Sequence, residues 1–396
     1  MNHRKQLTIV SFFLILVAIS IVTSGCWVSQ FAKYYNDMEA EVNWDQQVTF
    51  DYERYQILLD GDIGLPRRYL LDLGGADVNF MTEEDSVTLS EKGNMKLVKG
   101  GWVQGASKER TRAKYMVVDS LWSPLFTGKD YFSVYLSVSE RICELDGIVG
   151  RSLFEDSTAT LWVNMDQRQL SIFRIRPELD DTWTEIPIRI NLSGLIFVTL
   201  DLSGLGEEEF IFDTGFNGGI LLKKNPQLAL GSDWESRGEV AQTVNGFVTD
   251  TLSKIKRELR WDKISVKDQD VYYYNQTVKV ENLMGMQFIE NYNFVIDYKE
   301  ERLFLQNRKQ QETYNSRKSV RVRYINGNPT IVNIANTPVG RAFKLDIGDI
   351  LREINKKPVE DDDICSLNDK INSELEAGTI RSISVERKGS VVELYK

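Results

Sequence analysis

Phe210-Ile211-Phe212-Asp213-Thr214-Gly215 ends an apolar run in a carboxylate, a hydroxyl and a glycine. The apolar residues read as the end of a buried strand, and Asp-Thr-Gly reads as the turn that leaves it. An echo stands 141 residues earlier, at Tyr69-Leu70-Leu71-Asp72-Leu73-Gly74. The same offset pairs Leu59-Asp60 with Leu200-Asp201. A lone Asp-x-Gly is ordinarily a strand-end turn whose carboxylate caps nearby N–H groups. Two copies in register imply a duplicated unit, with a site drawn from both.

The duplication extends beyond these loops. Each half continues through a glycine-containing middle to an apolar-apolar-Gly element and a closing hairpin. In the first half these are Asp146-Gly147-Ile148-Val149-Gly150, then Leu161 to Asp166 with Gln169 to Phe173. In the second they are Asn282-Leu283-Met284-Gly285, then Phe294 to Tyr298 with Arg302 to Leu305. The Asp-to-Gly spacings are 78 and 72 residues, close enough for one unit with altered loops. Short runs rich in β-branched and aromatic residues, such as Phe132-Ser133-Val134-Tyr135-Leu136, predict a mainly β body. The expected division is a signal segment over 1–25, a spacer over 26–48, and halves over 49–175 and 176–306. A polar linker over 307–319 then leads to a third unit over 320–396, with a helix near Leu367 to Leu375.

The absences narrow the chemistry. The only histidine is His3, inside the amino-terminal segment that reads as removed. Ser-His-Asp and Cys-His catalysis and His-ligated zinc are then excluded. Cys26, Cys143 and Cys365 are too few and scattered for a disulfide framework or a zinc site, and Cys143 and Cys365 read as buried free thiols. No phosphate-binding glycine loop appears, and no cofactor or metal is implied. With 58 Asp+Glu against 48 Lys+Arg and no basic block, nucleic acid is not an expected partner. At the amino terminus His3-Arg4-Lys5 precedes the apolar stretch Leu7 to Val22 and then Thr23-Ser24-Gly25-Cys26. That order is an export signal. The small residues before Cys26 resemble a bacterial lipobox, which implies lipidation at Cys26 and a cell-envelope protein facing periplasm or exterior. An uncleaved signal anchor is the other reading of this segment.

Residues 50–306 as a whole resemble the retropepsin-like and pepsin-like aspartic proteases. The motifs are the apolar strand ending in Asp-[Thr/Ser]-Gly and the later apolar-apolar-Gly that braces it. The resemblance implies two pseudo-symmetric β-barrel halves and an aspartic endopeptidase acting on peptide or protein substrates. Asp72 and Asp213 would face each other across a water molecule, with Thr214, Gly215 and Gly74 shaping the site. Each motif hydroxyl would lock onto the opposite loop. Leu73 departs from that pattern, so one arm of the lock is absent, and Leu73→Thr is expected to raise activity or stability. Phe216-Asn217-Gly218-Gly219 also departs, because a small residue usually follows the glycine. The runner-up is a catalytically silent peptide-binding protein with the same fold.

Two stretches are candidate flaps: Lys99 to Gly105, with Gly101 and Trp102, and Val244 to Val248, with Gly246 and Phe247. An ordinary β-turn with a packed aromatic is the equal alternative for each. The third unit resembles a small α+β PDZ-like domain of bacterial proteases, on the run Gly348-Asp349-Ile350-Leu351-Arg352-Glu353-Ile354-Asn355. That implies capture of a C-terminal peptide by strand addition, with its carboxylate loop at Tyr324 to Pro329, before the Thr330 strand. Asp361-Asp362-Asp363 reads as a helix-start cluster.

Overall fold

A computed structural model describes residues 37–75, 77–104, 110–138, 145–150, 158–191, 194–223, 234–243, 246–275, 281–309, 319–338, 342–359 and 363–396. The signal segment, Cys26, Cys143 and most of the linker lie outside these residues. Among those described, no helix is long and apolar enough to cross a membrane.

The first-half loop leaves the strand Pro66–Leu71, which runs antiparallel to Gln56–Asp62 with Leu59 opposite Tyr69. Its other edge pairs in parallel with Gly147–Val149, setting Leu71 against Val149. Gly147–Val149 then pairs antiparallel with Val78–Met81, and Val78–Met81 runs parallel to Phe126–Ser137. The second half repeats each step. Gly206–Phe212 is antiparallel to Ile196–Leu202 and parallel to Leu283–Met284, with Phe212 against Met284. Leu283–Met284 is antiparallel to Ile220–Leu222, which runs parallel to Ile264–Tyr274. The expected class holds in its architecture: the protein is mainly β, with two pseudo-symmetric halves of matching strand order and a small α+β unit.

The closing hairpins join the halves. Thr160–Asn164 pairs with Gln169–Phe173 inside the first half and with Tyr292–Asp297 across the boundary. Arg302–Asn307, Thr184–Pro187 and Val48–Thr49 complete a six-stranded sheet. All six residues of Tyr292–Asp297 are buried, as befits a central strand covered on both faces. One core holds Leu71, Leu73 and Val149 of the first half together with Phe210, Phe212 and Met284 of the second. Removing each such side chain from water contributes about 1.5–3 kcal/mol. The same burial that stabilises each half therefore fixes the two loops relative to one another.

The helix Glu83–Glu91 has no apolar stripe for a sequence pattern to reveal, since only Leu89 is buried. It starts because Asp85 N–H donates to Thr82 Oγ1 at 3.1 Å, with three acidic residues in the first turn.

The third unit has its own core, built from Val320, Ile331, Leu351, Leu367, Ile371 and Val385 among others. Its Gly-Asp run has a structural cause: Asp349 is buried and accepts twice from Arg387, at 2.8 and 2.7 Å. Asp363 caps the helix Ile364–Glu376, accepting from the N–H groups of Cys365 and Ser366. Tyr324 to Pro329 is a tight hairpin between Val320–Ile325 and Asn328–Ala335, in place of a carboxylate loop. Asn326 and Gly327 both take left-handed backbone angles, φ 51° and 74°, which a two-residue hairpin turn requires. Cys365 is disulfide-bonded, which corrects the expectation of a free thiol there.

Candidate functional site

Two hydrogen bonds of the same kind fix the two aspartates. Asp72 N–H donates to Val149 C=O at 3.0 Å, and Asp213 N–H donates to Met284 C=O at 2.9 Å. The apolar-apolar-Gly elements thus brace the loops, as the resemblance implied. Each carboxylate is then held by its own glycine. Gly74 N–H donates to Asp72 Oδ1 at 2.8 Å, and Gly215 N–H donates to Asp213 Oδ1 at 2.9 Å. Phe216 N–H adds a bond to Asp213 Oδ1 at 3.0 Å.

The two carboxyl groups come together where the loops of the two halves meet. Each lies over the opposite loop's glycine. A Cβ on Gly74 would sit 2.6 Å from Asp213 Cγ, and a Cβ on Gly215 would overlap Asp72 Cγ. Glycine is therefore required at both positions by the close approach of the other half's carboxylate. Burial, followed by the charge of Asp72 and the hydrogen bond to it, holds the Asp213 carboxyl well above the usual carboxylate range. The N–H groups of Gly215 and Phe216 pull the other way and do not offset this.

Thr214 carries the cross-lock. Its hydroxyl donates to Leu71 C=O at 2.9 Å and accepts from Leu73 N–H at 3.0 Å, both in the first half. Thr214 is wholly buried. Leu73 offers no hydroxyl in return. It is 1% exposed and packs into the core that the two halves share.

The bulky Phe216 also has its explanation. Its ring covers Gly218, where a Cβ would overlap Cζ, and reaches Gly285, where a Cβ would lie 2.5 Å from Cδ1. Glycines at 218 and 285 make the space that a large residue at 216 needs. Sequence reasoning missed Asp77, a buried residue whose Oδ1 accepts from Gly150 N–H at 2.6 Å. Gly285 N–H finds a backbone acceptor instead, Gly219 C=O at 3.0 Å. No repeat comparison could find Asp77, because the second half satisfies the equivalent donor without a side chain.

The flap candidates fall on two hairpins. Gly101 lies in Met95–Gln104, opposite Ala113 and beside a register shift that follows Val98. The side chain of Trp102 lies outside the described residues, as does the hairpin tip. Gly246 pairs with Thr243 at the turn of the second-half hairpin, Trp234–Thr243 with Gly246–Trp261. Phe247 does not stand free there. Arg323 and Arg321 of the third unit lie over its ring, 4.4 and 5.5 Å from the centroid. Among the described residues, no group of three or more His, Cys, Asp or Glu gathers to hold a metal ion.

No protein-family model matches the chain, and no curated protein matches it. Among solved structures 380 chains match. An aspartic proteinase from Irpex lacteus aligns with a TM-score of 0.43 and 11% identity, over 68% of this chain and 98% of its own. The Basic 7S globulin from soybean aligns with a TM-score of 0.40 and 10% identity, over 70% of this chain and 100% of its own.

Proposed function

We propose that the chain is an aspartic-type endopeptidase that hydrolyses peptide bonds with a water held between Asp72 and Asp213. The close approach of these two carboxyl groups, each set over the glycine of the opposite half's loop, carries the reading. Carboxylates this close cannot both ionise, so the pair holds one proton from acid into neutral pH. The ionised member takes a proton from the attacking water. The protonated member stabilises the developing oxyanion and then helps to protonate the leaving nitrogen. The proton belongs to the pair and not to one residue. Thr214, Gly215 and Gly74 hold the geometry, and the substrate lies as an extended strand between the halves.

The test is cleavage of a mixed peptide library at mildly acid pH. Wild type is expected to cleave and Asp213→Asn is not. Equal cleavage by both would locate the activity elsewhere. Peptide binding without cleavage by wild type would favour the silent peptide-binding alternative.

We further read Cys26 as a lipid-modified residue that anchors the protein in the bacterial cell envelope. The disulfide at Cys365 supports export, because such bonds persist in oxidising compartments. Lipidation would tie the Cys26 sulfur into a thioether and so withhold it from Cys365. Non-reducing peptide mapping checks this, and a Cys26–Cys365 cross-link would sink the anchor.

A further inference from the structure

The third unit holds the second-half hairpin by strand addition. Ser236, Arg237 and Gly238 pair antiparallel with Ala335, Ile334 and Asn333. Asn336 N–H extends the seam to Glu235 C=O at 2.6 Å. Gly238 sits at φ +106°, where a Cβ would overlap Val332 C=O, so the hairpin carries a glycine where the third unit comes closest. Asn333 is buried, donates to Arg237 C=O and accepts from the Ser236 hydroxyl, each at 2.8 Å. Arg323 grips Glu239 with two bonds, at 2.6 and 3.2 Å, while its guanidinium covers Phe247. A planar fork that pairs a carboxylate and stacks on a ring is what lysine cannot supply.

The outer edge of Val320–Ile325, where a peptide would add to a PDZ-like sheet, is occupied from within. Asn368 donates to Val322 C=O at 2.9 Å and accepts from Val322 N–H at 2.8 Å. Asn372, one helical turn on, donates to Val320 C=O at 2.8 Å and accepts from Val320 N–H at 3.1 Å. Two asparagine amides reproduce the bonds that an incoming strand would make. The hairpin gripped on the other side shares an apolar cluster with the loop that carries Asp213. Its Val240 and Val248 pack in one apolar cluster with Ile211, Leu221 and Phe216, and Phe216 N–H donates to Asp213.

We propose that the third unit is an intramolecular clamp: its partner is this chain's own second-half hairpin, which it holds as a fixed wall beside the Asp213 loop. Glu239, Phe247, Arg323 and Asn333 are positioning residues for substrate bound there. The kinetic part rests on the peptidase reading; the clamp itself does not.

The experiment compares the full chain with Arg323→Ala/Asn333→Ala by hydrogen exchange over residues 234–250 and by peptide kinetics. Exchange is expected to rise at least tenfold in the double variant, with KM up at least threefold and kcat within twofold of wild type. Arg352→Ala, which breaks the exposed pair with Glu386 elsewhere in the unit, is expected to leave both unchanged. If the double variant does not fold, Glu239→Gln makes the same test with a smaller rise in exchange. Unchanged exchange in the variants overturns the clamp. Faster exchange with unchanged KM overturns its role at the substrate. A wild type without peptidase activity overturns the peptidase reading, and exchange alone then decides the clamp.

Discussion

Between aspartate and glycine the second half carries Thr214 and the first half carries Leu73. Thr214 works through direction, satisfying one C=O and one N–H of the facing loop from a buried hydroxyl. Leu73 works through volume, filling the core between the halves and making no polar bond through its side chain. Around this difference the bracing bonds and the glycines are matched. Both aspartates hang from the C=O of a bracing strand, and both glycines lie under the opposite carboxylate. The carboxylate geometry therefore does not need two hydroxyl arms. One arm fixes the register of the loops, and packing can hold the other side.

The carboxylates should be equally indispensable if the match is functional. Asp213→Asn and Asp72→Asn are each expected to lower peptide cleavage by about 10³-fold or more, within the range for general acid–base groups. A large loss at one and a small loss at the other would break the symmetry. Asp213→Asn carries a second signature. The folded protein holds the Asp213 proton more tightly than the unfolded chain, so this group favours the fold at pH below the ordinary carboxylate range. That contribution is lost as pH rises through the raised value. The asparagine variant should therefore have the higher Tm at neutral pH, and the gap should shrink on acidification. A gap that widens toward acid would contradict the raised proton affinity.

The glycines come next. Gly74→Ala and Gly215→Ala would each push the facing carboxyl group aside. A displacement of about 1 Å costs on the order of 10² in rate, so both variants should lose about that much kcat. Alanine tolerated at either position would mean that the two loops can separate. Thr214→Val probes the lock through stability. It leaves Leu71 C=O and Leu73 N–H buried without their partner, for a loss of about 2–4 kcal/mol in chemical denaturation.

Most of the pairing was legible because it rests on local pattern. Asp-x-Gly after an apolar run and apolar-apolar-Gly at a matched spacing are short signals repeated twice. The closing hairpins were legible too, but their pairing across the halves was not, since antiparallel strands carry no mark of their partner. The clamp was hidden for the same reason. Nothing in Ser236-Arg237-Gly238 announces Asn333, although Asn368 and Asn372 at helical spacing were a readable hint of a paired face. The Cys365 disulfide stayed hidden because three cysteines far apart in sequence fix no pairing. Phe216 looked like a defect in the site and is instead packed against glycines that accommodate it.

Leu73→Thr makes the finest test, and its expected sign follows from burial. The sequence pattern alone favours the change, because threonine restores the missing hydroxyl. The structure opposes it, because Leu73 is 1% exposed in the shared core. Full burial of a leucine contributes about 1.5–3 kcal/mol, whereas one added hydrogen bond contributes about 0.5–1.5 kcal/mol net. Packing wins, and Leu73→Thr should destabilise the protein by about 1–2 kcal/mol in chemical denaturation. The carboxylates should stay in place, since Thr214 still fixes the register, so kcat should change by less than about threefold. A variant more stable than wild type would show that the second hydroxyl outweighs the lost volume. The first-half loop would then be the weak arm of the pair, and not an equal solution by other means.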